Sequence, residues 1–433
     1  RENIVRLPAL LLPLIVITLS LIINGPAPIT SDEGRYAGFA YRIMEDGKWI
    51  PFKYPENTYY QYFHVLPSLN AILSIIAGTD PIYTTHPMLI LYLTALMVIT
   101  IYAIIKIMLV DTPFRKFASL AFIILLTASP ISPLALMPRG MATVIYLVTL
   151  LLCLVSLKTR NGLSFQKVPM FLTALVGILA HAVFPILVLT SFASILPLIR
   201  LYRIRSAEAS VLEETLKFTV ICTVAYWTLT LIADQIIHMG KHLYDSFADL
   251  LSGRIEPSGE GSRWYASAPP ELALPWALLP ALTTTFSIKE LMYVYRNRRI
   301  PWKESYYVGF GAAGLLILLI GFISHLTTRV MVAYSYYAYI LFIPPSIKLV
   351  SEIIQRHRLI STAIIIGVIA MSAFYGIQDS TYSPDILKIM PTADKRSWHA
   401  AEALSPYLSQ HTEVILGPIS GRRFYSDQRI AIG

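Results

Sequence analysis

Uninterrupted apolar runs recur along most of this chain, many close to the ~20 residues an α-helix needs to cross a bilayer. Few architectures tolerate that pattern. The runs are continuous and do not alternate, so a transmembrane β-barrel is excluded. Of the 433 residues, 55% are hydrophobic and 14% charged, whereas a soluble domain carries about 25% charged residues. Disordered and collagen-like chains are excluded on the same ground. The expected fold class is an all-α polytopic membrane protein.

Clear runs fall at 7–23, 87–109, 117–136, 141–157, 217–237, 271–288, 306–326, 330–350 and 359–377. Two stretches fit less simply. Residues 65–78 give about 21 Å of helix, short of the ~30 Å hydrocarbon core. Residues 169–199 are too long for one span and short for two.

Charge decides between the options. The net charge of +9 comes from basic residues clustered in short connections, the pattern of cytoplasmic loops rather than of nucleic-acid binding. Those connections are 110–116, 158–168, 200–217, 289–303 and 348–358. They fall on one side only if 65–78 stays on the outer surface and 169–199 is a hairpin turning near His181 to Pro185. The expectation is then about eleven transmembrane helices in a cell-membrane, multi-pass protein. Its N-terminus is cytoplasmic and its C-terminus extracytoplasmic.

Residues 1–377 form the transmembrane domain and 378–433 an extracytoplasmic C-terminal region, read as a small α/β unit with a helix at 394–410 and a strand at 412–416. The chain stops soon after FYSDQRIAIG, so this region reads as the opening of a larger domain. The starting Arg1 reads as a trimmed beginning, and the first apolar run lacks a signal-peptide cleavage site. Cys153 and Cys222 both lie in apolar runs without metal-ligand spacing, so neither a disulfide nor a metal site is expected.

The first outer loop, 24–86, is far longer than a structural connection requires. Tyr36, Phe39, Ala40, Ile43 and Met44 recur at helical spacing, and Gly47 supplies a stop. This predicts a juxtamembrane amphipathic helix in the membrane interface. Ser31, Asp32 and Glu33 stand at its start. Two readings fit them equally: acids favouring the positive end of a helix, or a carboxylate fixed above the membrane facing a cavity.

Asp32-Glu33-Gly34-Arg35-Tyr36, the Gly47-Lys48-Trp49 turn and a short helix running into Gly78 resemble the GT-C superfamily of membrane glycosyltransferases. The nearest likeness is to the protein O-mannosyltransferase and aminoarabinose-transferase branch. The layout is similar along the whole chain, the motifs over about 50 residues. The resemblance implies transfer of a sugar from a polyprenyl-phosphate (dolichyl-phosphate-like) donor to a protein, lipid or glycan acceptor on the outer face. It implies Asp32 as catalytic base or acceptor-orienting carboxylate, with Glu33 beside it. An acceptor hydroxyl must lose a proton as it attacks the anomeric carbon, and a carboxylate in reach can take it.

One departure stands out. The next outer loop, SPISPLALMPRGM, holds no acid, so a divalent metal shared between two loops gains no support.

Lipid phosphate calls for cations at the outer boundary, and arginine suits it by its planar fork. Arg329 begins a predicted span, and Arg139 is the lone charge of the acid-free loop. Either could instead be a snorkelling helix-end arginine. His181 at the hairpin apex is a cavity candidate and equally a buried structural histidine. Lys53, His64 and Tyr36 in the first loop, and Arg263 and Trp264 in the Gly/Pro-rich loop 238–270, complete the cavity candidates. No P-loop, GxGxxG or HExxH pattern supports a nucleotide or metalloprotease reading. Three rivals stay open: an oligosaccharyltransferase-like enzyme, a lipid-glycan transporter or flippase, and a GT-C scaffold without catalysis.

Overall fold

The computed structural model describes residues 31–48, 62–79, 81, 86–108, 138–158, 163–201, 206–230, 284–290 and 302–327, the strand residues 413–415, 423–425 and 429–431, and isolated residues within 237–252, 292–296 and 340–352. The helices are α1 (Ser31–Asp46), α2 (Val65–Ala77), α3 (His86–Met108), α4 (Pro138–Lys158), α5 (Leu163–Ala180), α6 (Val183–Leu201), α7 (Ser206–Leu229) and α8 (Trp302–Thr327). Among the described residues, Met88–Met108, Arg139–Ser156 and Val183–Arg200 are long and apolar enough to cross a membrane. Val65–Ala77, Lys167–Ala180 and Ser305–Ile320 are shorter apolar helices. The predicted spans 7–23, 117–136 and 359–377 lie outside the described residues, so the count of eleven is not read from the structure.

The α5–α6 segment is a hairpin, and its ion pairs prove it. Lys167 near the start of α5 reaches Glu214 at 2.6 Å, and Arg200 at the end of α6 reaches Glu213 at 2.6 Å. Both acids belong to one turn of α7, so the arms begin and end on the same face of the bundle. Lys217 adds an i,i+4 pair to Glu213 at 2.8 Å. Hydrogen bonds from Lys217 and Arg200 hold the Glu213 carboxyl below its ordinary range. The opposite face carries the two-residue turn His181–Ala182. We call these the ion-pair face and the turn face.

The turn is tight. His181 N–H donates to the Gly177 carbonyl at 3.2 Å, and Phe184 N–H donates to the His181 carbonyl at 3.1 Å. The Phe184 ring lies where a side chain on Gly177 would be: a Cβ there would meet it at 2.3 Å. Glycine is therefore demanded at 177 by close approach.

α4 is the hub, packing against α3, α5, α6 and α7, while α8 packs on α6. Hydrocarbon offers no solvent-driven force between helices, so close approach and interhelical hydrogen bonds do the work. Gly309 of α8 lets the helix backbones meet, with Ile195 Cα 3.0 Å from the site a Cβ would take. Tyr146 of α4 donates to Ser191 Oγ of α6 at 3.1 Å. Near the ion-pair face the Cys153 thiol donates to Met170 Sδ at 3.3 Å, and Thr215 donates to the same sulfur at 3.2 Å. Both cysteines are free thiols.

α7 starts at Ser206, well before the apolar run predicted at 217. The stretch read as a basic loop is rich in helix formers, and its acids find partners on α5 and α6. Three short strands, β1 (Glu413–Ile415), β2 (Arg423–Tyr425) and β3 (Arg429–Ala431), form an antiparallel sheet in the order β1-β2-β3. Glu413 pairs with Tyr425, and Arg423 with Ala431. β3 lies against α1. The helix expected at 394–410 lies outside the described residues.

Candidate functional site

The segment that carries α1 and α2 meets the bundle at the turn face. α1 ends at Gly47, whose φ of +65° is a left-handed stop. Its Tyr36 ring is buried, edge-on to Phe39 with centroids 6.0 Å apart. Asp32 and Glu33 occupy the first turn of α1.

Just before α2, Tyr62 and Phe63 are buried together with Ala182 of the hairpin turn. Phe63 stacks on the His181 imidazole, with centroids 4.8 Å apart and planes inclined at 30°. Tyr226 of α7 donates its hydroxyl to the Tyr62 carbonyl. Trp227 packs beside them. The three-residue segment 62–64 is thus pinned to the α5–α6 turn and to the end of α7.

His181 is buried, with 3% of its surface exposed. Its Nδ1 accepts the Val183 N–H at 3.1 Å, so in the neutral ring the proton resides on Nε2. Burial, and then the positive charge of Arg139, hold the imidazole well below its ordinary pKa and therefore neutral at physiological pH. That influence also places Arg139, in the first turn of α4, at the same end of the bundle. Arg139 is half-buried. His64 is half-buried too, and burial lowers its pKa against a smaller opposing hydrogen bond with the Tyr62 backbone.

The sequence candidates therefore divide. Arg139, His181 and the 62–64 segment that includes His64 come together at the turn face. Tyr36, Asp32 and Glu33 lie on α1, which packs against α2. Lys53, Arg263, Trp264 and Arg329 lie outside the described residues. Among the described residues no group of three His, Cys, Asp or Glu converges as a metal site.

Sequence reasoning did not single out Phe63, Tyr226 or Trp227. The aromatic triplet Tyr62-Phe63-His64 directly ahead of an apolar helix was the available signal. Its partners lie more than a hundred residues away.

Below the turn face, α3, α4, α8 and residues 340, 341 and 344 line a narrow apolar cleft of about 20 Å³. Ile101, Ile105, Tyr146, Leu147, Phe310 and Leu341 line it.

Comparison with solved structures gives the class of fold. The chain superposes on the oligosaccharyltransferase of Archaeoglobus fulgidus crystallised with zinc and sulfate, with a TM-score of 0.54 and 12% identity over 92% of this chain and 55% of that one. The same enzyme tethered to an acceptor peptide containing the NVT sequon gives a TM-score of 0.56 and 12% identity, covering 92% of this chain and 57% of that one. The archaeal oligosaccharyltransferase AglB of Archaeoglobus fulgidus, in complex with an inhibitory peptide and a dolichol-phosphate, gives 0.53 at 14% identity, covering 93% of this chain and 58% of that one. The chain thus spans somewhat over half the length of these enzymes. No protein-family model matches it, and no curated protein matches it. At 12–14% identity, the likeness shows that the chain shares the fold of these oligosaccharyltransferases.

Proposed function

We propose that this chain is a GT-C-type membrane glycosyltransferase that moves a sugar from a polyprenyl-phosphate donor to an acceptor at the turn face, which is the outer face of the membrane. The observation that carries the reading is the likeness in fold to oligosaccharyltransferases over more than nine-tenths of the chain. The Asp32-Glu33 motif in the first turn of α1 adds to it.

The chemistry follows from the residues. The acceptor O–H attacks the anomeric carbon, and its proton passes to the Asp32 carboxylate. The bond from that carbon to the phosphate oxygen breaks, and the electron pair leaves on the phosphate. Arg139 supplies positive charge at this end of the bundle, and Arg329 is the second phosphate candidate. Glu33 supports Asp32.

A second reading is favoured by the identity of the structural neighbours. The tethered complex holds an acceptor peptide containing the NVT sequon. On that reading the acceptor is an amide nitrogen, and Asp32 orients it rather than deprotonating a hydroxyl.

The test is sugar transfer by the purified chain in lipid, from a polyprenyl-phosphate donor, with hydroxyl acceptors and a sequon peptide offered side by side. Asp32→Asn retains a helix-start residue. It is expected to keep folding and donor binding while turnover falls about 10²–10⁴-fold. Full activity in Asp32→Asn would reduce the carboxylate to a helix-end residue.

A further inference from the structure

α2 is amphipathic in the inverted sense. Its buried residues are Leu66, Pro67, Asn70, Ala71 and Ser74, so the polar Asn70 and Ser74 face inward, one turn apart. Its outward residues are Ile72, Ile75 and Ile76, exposed by 53%, 61% and 76%. The helix contains no Asp, Glu, Lys or Arg. A helix resting on a protein surface in water shows the opposite arrangement.

Three further features bear on what covers the isoleucines. α2 packs against α1, α4 and α5. The last two turns of α5, against which α2 packs, also expose apolar side chains, Leu175 and Val176. The C-terminus of α2 is closed: Gly78, at φ +64°, and Thr79 return their N–H groups to Ile75 and Ser74 at 3.3 and 3.1 Å. That closure satisfies carbonyls which hydrocarbon could not. At about 1.5 Å per residue the helix is too short to cross a ~30 Å core, so it belongs to one leaflet.

We propose that α2 is seated in the hydrocarbon of the turn-face leaflet, its Ile72, Ile75 and Ile76 against lipid acyl chains and its Asn70 and Ser74 against the protein. The partner is the bilayer itself. α2 is then a thin partition, with lipid tails on one side and the α1, α4 and α5 packing on the other. This stands independently of the catalytic reading.

The test is spin-label accessibility of the full chain in liposomes. Nitroxides are placed singly at positions 72, 75 and 76 in a Cys222→Ser background, with Cys153 left buried. Labels at 99, on the exposed face of α3, and at 45, on the exposed side of α1, are the references. Preferential collision with oxygen over a water-soluble nickel chelate, matching position 99 and opposite to position 45, is expected. Chelate access equal to that at 45 would overturn the proposal in favour of a water-facing helix. Dipolar broadening would overturn it in favour of a second copy of the chain, and protection from both reagents in favour of cover by another segment. Labelling of the unmodified chain with a diazirine-bearing phospholipid gives a readout that needs no variant. Adducts on the 72–76 peptide are expected, and their absence alongside labelled α3 peptides would overturn it equally.

Discussion

Replacing Phe63 by alanine should release segment 62–64 from the bundle. Phe63 is fully buried. Truncating such a side chain costs about 3–5 kcal/mol. The stack on His181 accounts for about 0.5–1.5 kcal/mol of that. The buried Tyr62 and the Tyr226 hydrogen bond to its carbonyl, the latter worth about 0.5–1.5 kcal/mol, still hold segment 62–64 to the bundle. The opening equilibrium of the segment should rise by roughly 10²–10⁴-fold, since about 1.4 kcal/mol is tenfold. Hydrogen exchange by mass spectrometry reads this directly in peptides covering 62–70, where Ser68 N–H is bonded to the His64 carbonyl at 2.9 Å. Peptides of α8 should exchange as before. The control is a double-mutant cycle with His181→Ala. That variant also strands the Val183 N–H, a cost that cancels in the cycle. A coupling of about 0.5–1.5 kcal/mol is expected. Unchanged exchange in Phe63→Ala, or strictly additive single costs, would refute the pinning of the loop through this stack.

Gly309→Val should destabilise the α6–α8 contact by about 1–3 kcal/mol, because even a Cβ would lie 2.4 Å from Ile195 Cγ1; a melting curve in detergent checks it, and relief by Ile195→Ala should be partial, since the Ile195 Cα is also close. Stability should fall with acid in a way that His181 contributes to. Its folded pKa lies below 6.5 through burial and Arg139, so the unfolded chain takes up a proton that the folded chain refuses. The loss begins as pH drops through the ordinary imidazole value and continues down to the folded pKa. His181→Phe should flatten that part of the melting-temperature profile, and an unaltered slope would count against the buried neutral imidazole.

Elements defined by local chemistry were legible in the sequence. The left-handed stops at Gly47 and Gly78 end α1 and α2 where they were expected. The hairpin followed from a length that fitted neither one span nor two, and its turn fell at His181 because Pro185 suits the first turn of α6. The beginning of α7 was misplaced because charge in 206–216 was counted toward membrane orientation. The same residues are helix formers, and only three-dimensional packing supplies Glu213 and Glu214 with Arg200 and Lys167. For the site, Arg139 and His181 were legible as polar residues at membrane boundaries. Their common position was not, and neither was the pairing of Phe63 with His181, because no periodicity links residues so far apart in the chain.

The His181–Ala182 turn also constrains how the chain enters the membrane during synthesis. Its α5 arm has an apolar stretch, Lys167–Ala180, that falls short of a full crossing. Only two residues separate it from α6, so no loop exists to hold the far side while the second arm is made. Insertion one helix at a time would leave α5 as a marginal segment with nothing beyond it to anchor. The arms are therefore expected to pass from the translocation machinery into lipid as one unit. A single charged substitution midway along either arm should then block the insertion of both.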